Sequence, residues 1–92
     1  MRMMYKFLIP NQKGDQTKLD GSLRKALKEL VEETKPESAY FYMYHGKRGG
    51  LLVFDVEHPG DLVPINDKLI AATGAEINVH PTLNWEELEK TP

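Results

Sequence analysis

Residues 37–57 read Glu-Ser-Ala-Tyr-Phe-Tyr-Met-Tyr-His-Gly-Lys-Arg-Gly-Gly-Leu-Leu-Val-Phe-Asp-Val-Glu. Two runs rich in aromatic and branched residues, Ala39 to His45 and Leu51 to Glu57, flank a glycine-rich segment, Gly46 to Gly50. Such runs suit a pleated, half-buried surface, and glycine supplies the left-handed backbone of a tight connection. The stretch therefore predicts a β-hairpin hinged at Gly46 to Gly50. The first run alternates Ala39, Phe41, Met43 with Tyr40, Tyr42, Tyr44. The second alternates Leu51, Val53, Asp55 with Leu52, Phe54, Val56, and being apolar on both faces it reads as a central strand.

Upstream, Met3 to Ile9 is a second strand greasy on both faces apart from Lys6, and Pro10-Asn11 ends it. Gln12 to Gln16 is a polar loop. A helix follows, because Leu19, Leu23, Ala26, Leu27, Leu30 and Val31 fall on one stripe at the 3.6-residue period. Thr17 and Asp20 are its candidate caps, and Pro36 stops it. Downstream, His58-Pro59-Gly60 breaks the hairpin's second strand. Asp61 is the expected cap of a second helix, with Pro64 in its first turn and a buried stripe of Leu62, Ile65, Leu69, Ile70 and Ala72. Gly74 closes that helix as a left-handed residue. Ala75 to Pro81 makes the last strand. Asn84 with Glu87 three residues on then opens a short helix in which Trp85 and Leu88 share a side, Trp85 serving as a hydrophobic anchor.

The order strand, helix, strand, strand, helix, strand has a well-defined solution. Right-handed crossovers give an α+β, ferredoxin-like β-α-β-β-α-β domain over 1–92, with residues 81–92 as a tail. Its four-stranded antiparallel sheet has the order 4-1-3-2, with both helices on one face. The strands greasy on both sides are the first and third, which this topology makes central.

Bulk composition narrows the function. The chain has 92 residues, 40% hydrophobic and 28% charged, which is one domain with a modest core. A net charge of -2 gives no basic surplus for nucleic acid, and no helix-turn-helix or basic arm is readable. Cysteine is absent, so thiolate zinc sites are excluded and a reducing, cytoplasmic setting is expected. No run approaches the roughly 18–20 apolar residues of a membrane span, and Met1 to Pro10 lacks a signal-peptide cleavage site. Neither nucleic acid nor membrane is an expected partner.

Two helices cover one side of a four-stranded sheet, so the other side lies open. Alternation assigns it Met4, Lys6 and Leu8, then Tyr40, Tyr42 and Tyr44, then Leu51, Val53 and Asp55, and finally Glu76, Asn78 and His80. Apolar enough to need cover, yet lined by charges and phenols, such a face suits packing against a second copy around a partly polar space. Lys6, Tyr42, Tyr44, Glu76, Asn78 and His80 are the candidate ligand-binding residues. Lys6, Glu76 and His80 have a plainer reading as charges paired across strands. His45, with an ordinary pKa near 6.5, is a candidate proton-transfer residue, and Asp55 could orient it across the hairpin. The three histidines show no metal-ligand spacing, so no metal or other cofactor is expected.

The string Tyr44-His45-Gly46, the pair Gly49-Gly50 and the run Leu52-Val53-Phe54-Asp55-Val56 before a new helix resemble the dimeric α+β barrel superfamily. Within it, the chain is most similar to a family of small uncharacterised bacterial proteins of about this length. Phe54-Asp55-Val56 also resembles the muconolactone isomerase family. The resemblance implies a homodimer whose sheets face each other around a cavity that takes a small organic ligand. It implies as the alternative a cofactor-independent isomerase or monooxygenase acting on a small cyclic or aromatic compound, with His45 moving the proton.

Overall fold

In a computed structural model, residues 1–11 and 21–92 are described. They form β1 (Arg2–Ile9), α1 (Ser22–Thr34), β2 (Ser38–Tyr44), β3 (Lys47–Asp55), a 3-10 turn (Pro59–Asp61), α2 (Leu62–Thr73), β4 (Glu76–Pro81) and α3 (Trp85–Glu89). The expected loop at Gln12 to Gln16, the caps at Thr17 and Asp20, and the stripe position Leu19 fall outside the described residues. Among the described residues, no helix is long and apolar enough to cross a membrane.

The strands form one antiparallel sheet in the order β2-β3-β1-β4, leaving β2 and β4 at the edges. Alternation decides what is buried. Met3, Tyr5, Phe7 and Ile9 of β1, with Leu52 and Phe54 of β3, point to one face and are nearly inaccessible. Leu23 and Leu30 of α1 and Leu69 of α2 complete the same core, so both helices lie on that face. Tyr5 is fully buried, and its hydroxyl donates to the Leu62 carbonyl at 3.3 Å. Burial pushes that phenol's pKa up, since the anion would lose its hydration.

The hairpin turns elsewhere than its glycines suggest. Tyr44 pairs with Lys47, so the loop is the two residues His45-Gly46, both left-handed, at φ 49° and 77°. Two such residues are what a primed hairpin turn requires. Gly49 and Gly50 belong to β3. The reason is facing: a five-residue hinge over 46–50 would set His45 opposite Leu51 and bring the tyrosines onto the side of Leu52 and Phe54. The two-residue turn sets Tyr42 opposite Gly49 and Tyr40 opposite Leu51, which keeps Leu52 and Phe54 in the core.

The helix ends follow local chemistry. Lys35, left-handed at φ 48°, closes α1 by donating its N–H to the Val31 carbonyl at 2.9 Å, just ahead of Pro36. Asp61 does not cap α2 with its side chain. Its carboxylate instead accepts the His58 N–H at 3.2 Å, fastening the 3-10 turn that leads in. Within α2, Ile70 is exposed, whereas Thr73 is fully buried. The Thr73 hydroxyl donates to the Leu69 carbonyl at 2.7 Å and accepts the Ala75 N–H at 3.1 Å. It thereby ties the helix end to the approach of β4, while Gly74 closes the helix at φ 64°. At α3 the expected capping box forms. The Asn84 side chain accepts from the Glu87 N–H at 2.8 Å, and the Glu87 carboxylate accepts from the Asn84 N–H at 3.0 Å. Trp85 is 70% exposed, so among the described residues its ring is not buried as an anchor.

Candidate functional site

The open face is laid out by register. One row across the sheet is Tyr40, Leu51, Lys6, Asn78; the next is Tyr42, Gly49, Leu8, Glu76. On the other side of the first lies Ser38, Val53, Met4, His80. Strands stand about 4.8 Å apart, so side chains within a row are neighbours. Lys6 thus faces Asn78 directly, with Glu76 and His80 at the two diagonal positions, roughly 7–8 Å away.

These rows form an open concavity of about 490 Å³. Lys6, Tyr42, Tyr44, Glu76, Asn78 and His80 all line it, with Leu8 and Leu51 contributing apolar surface. All six candidate ligand-binding residues are therefore brought to one place. Gly49, which sequence reasoning assigned to the turn, sits in the second row between Leu8 and Tyr42, two residues that line the concavity. A Cβ there would lie 2.9 Å from the Phe7 carbonyl oxygen and 3.0 Å from Leu8 Cδ2, with the Tyr42 ring at 3.3 Å. The absent side chain lets Tyr42 and Leu8 approach across the strand. The signal that could have found it is the pair Gly49-Gly50 abutting the apolar run that starts at Leu51.

The division of the face is chemical as well as geometric. The β2 side is phenolic, the centre is aliphatic around Lys6, and the β4 side carries an amide, a carboxylate and an imidazole. Cross-strand ion pairs among Lys6, Glu76 and His80, the plainer reading of the sequence, do not form: among the described residues none of the three has an oppositely charged group within ion-pair distance. Lysine, carboxylate, amide and imidazole remain available to a ligand with an apolar body and polar substituents. No group of three or more His, Asp or Glu side chains is placed to hold a metal ion among the described residues.

His45 and Asp55 are not brought together. His45 occupies the turn, its ring edge-on to Tyr44 with centroids 4.2 Å apart, and it lies outside the concavity's lining. Asp55 ends β3 at the far side, eight residues of extended chain beyond Lys47, or about 26 Å. There it sits opposite Arg2, with its Oδ1 3.3 Å from the Met1 amino group. The expectation that Asp55 orients His45 is overturned, because a two-residue turn puts the hairpin's tip and the end of β3 at opposite ends of the sheet.

Sequence reasoning missed the cluster at that far end. The Arg2 guanidinium grips Glu37 through two nitrogens, at 2.9 Å (Nε to Oε2) and 2.7 Å (Nη2 to Oε1), and its third nitrogen pairs with Glu87 of α3. One residue thus links β1, the entry to β2 and the tail. The Arg2 hydrogen bonds hold the Glu37 carboxyl below its usual pKa.

No protein-family model matches the chain. No curated protein matches it either. Among solved structures it is similar to the de novo designed protein Ferredog-Diesel, at 19% identity and a TM-score of 0.45, over 87% of this chain and 82% of that one.

Proposed function

We propose that the chain is a ferredoxin-like, dimeric α+β barrel protein, two copies of which face each other through their open sheets and bind a small organic ligand between them. The observation that carries this reading is the convergence of Lys6, Tyr42, Tyr44, Glu76, Asn78 and His80 on one concavity of about 490 Å³. That volume lies in the ordinary range for small-molecule sites, roughly 300–1,000 Å³. A second sheet about 10 Å away would cover the exposed tyrosines and remove water from Lys6, which strengthens every polar contact made there. The cysteine-free composition fits a cytoplasmic protein.

The isomerase or monooxygenase reading has His45 moving the proton, and we favour binding over it because His45 lies outside the lining of the concavity. Native mass spectrometry on gently purified protein tests the proposal. A dimer carrying extra mass that is lost in a Lys6→Met, His80→Ala variant supports it and identifies the ligand. A chain that stays monomeric at tens of micromolar refutes the facing-sheet arrangement. A dimer that binds no member of a broad small-molecule library by mass or thermal shift refutes the ligand site.

A further inference from the structure

The facing-sheet arrangement covers Tyr40, Tyr42 and Tyr44 but leaves the rest of β2 unexplained. This edge strand exposes five successive large side chains, Tyr40 to Tyr44, each between 36% and 66% accessible. They point to both faces, and among the described residues β2 is paired on one side only, by β3. Natural sheets blunt such edges with charges, prolines or brevity. The opposite edge does so: β4 is six residues long and carries Glu76, His80 and Pro81. In β2, seven residues from Ser38 to Tyr44, there is neither a charge nor a proline.

We propose that β2 is a self-pairing edge, joining β2 of a second copy antiparallel about a two-fold axis at Phe41 to make one continuous eight-stranded sheet. Centring on Phe41 pairs all seven residues, Tyr40 with Tyr42 of the second copy on one face, and Phe41 with Phe41 and Met43 with Ala39 on the other. Aromatic pairs of this kind are the contacts that stabilise sheets best. The area suffices. Aromatic side chains bury about 150–250 Å² each, so four half-exposed ones contribute on the order of 400 Å² per copy, and Met43 adds to that. Two copies reach the roughly 1,000 Å² at which specific interfaces begin. Edge pairing extends the sheet sideways and leaves its open face free, so it does not depend on the ligand site.

The absence of cysteine makes cross-linking a clean test. At the two-fold centre the Cα atoms of a Phe41→Cys variant stand about 4.5–5.5 Å apart, within disulfide reach. Those of a Met43→Cys variant stand about 13 Å or more apart and cannot bridge. Under mild oxidation the first is expected to yield at least about fivefold more covalent dimer than the second. Equal yields, or none from either, overturn the proposal. Phe41 faces the helices, so a dimer held through the open face alone would give no Phe41→Cys bridge. If losing Phe41 unfolds the chain, amide exchange in the unaltered protein decides. Protection across Tyr40 to Tyr44 should weaken by about tenfold or more on strong dilution, and constant protection overturns the proposal.

Discussion

The ring of Phe7 lies over Gly50, its partner across the β1–β3 ladder, so closely that a Cβ on Gly50 would come within 2.6 Å of Phe7 Cε1. The glycine is a space for the ring and not a hinge. Phe7 is 1% exposed and packs edge-on against Phe41, centroids 6.4 Å apart, so it has no room to move aside. Gly50→Ala should therefore cost about 1–3 kcal/mol by overpacking. For a domain this small that lowers the melting temperature by several degrees, roughly 4–8 °C per kcal/mol. Adding Phe7→Leu should recover part of the loss, because the two sites share one contact. Gly60→Ala, where a Cβ meets nothing within 4 Å, should stay within about 0.5 kcal/mol of the parent.

At the hairpin tip, the left-handed pair His45-Gly46 makes residue type a matter of backbone before chemistry. Asparagine tolerates that conformation better than histidine, and Asn-Gly is the favoured primed-turn pair. His45→Asn should keep or slightly raise the melting temperature, by an equivalent of a few tenths of a kcal/mol. Gly46→Ala should lower stability by about 1–2 kcal/mol. Ligand binding in the concavity should survive His45→Asn, since His45 does not line it. Loss of binding in a folded His45→Asn protein would return that residue to the site.

How much of this was legible in the sequence follows from which signals are local. Period-two alternation put the tyrosines, Lys6 and the Glu76-Asn78-His80 row on one face, and the 3.6-residue stripe put Leu23 and Leu30 against the sheet. Each requires only near neighbours. The turn was misplaced because glycines advertise bends, whereas Gly49 and Gly50 are explained by Phe7 and Leu8, some forty residues away. Nothing in a histidine announces a left-handed backbone. The burial of Thr73 and the exposure of Ile70 depended on how α2 rotates on the sheet, which a stripe defines only to about one residue. The Arg2 cluster joins positions 2, 37 and 87, and no spacing rule links them.

Thr73 is the buried polar residue of the core among the described residues, and both uses of its hydroxyl are intramolecular. Replacing it with valine keeps the shape but leaves the Ala75 N–H without its acceptor, partly away from water. Thr73→Val should cost about 1–3 kcal/mol. Thr73→Ser keeps the hydroxyl and loses one methyl, and should cost about 1 kcal/mol. Chemical denaturation reads both. A Thr73→Val protein as stable as the parent would mean that the hydroxyl's bonds add nothing over solvent.

The Arg2–Glu37 pair predicts a direction with pH. Arg2 favours the ionised carboxylate, so Glu37 titrates lower in the folded chain than in the unfolded one. A depressed acid contributes stability that is fully present above its unfolded pKa and is lost as pH falls through its folded pKa. Melting temperature should therefore drop on acidification from the ordinary glutamate range downward. In Glu37→Gln that drop should be shallower, with the neutral-pH melting point already lower. Arg2→Met should lower the neutral melting point further, because it also releases Glu87 and with it the fastening of α3 to the sheet. Both groups touch solvent, so added salt should shrink the difference between parent and Glu37→Gln. If the two proteins lose stability in parallel between pH 6 and pH 3, the pair is a surface contact without consequence for the fold.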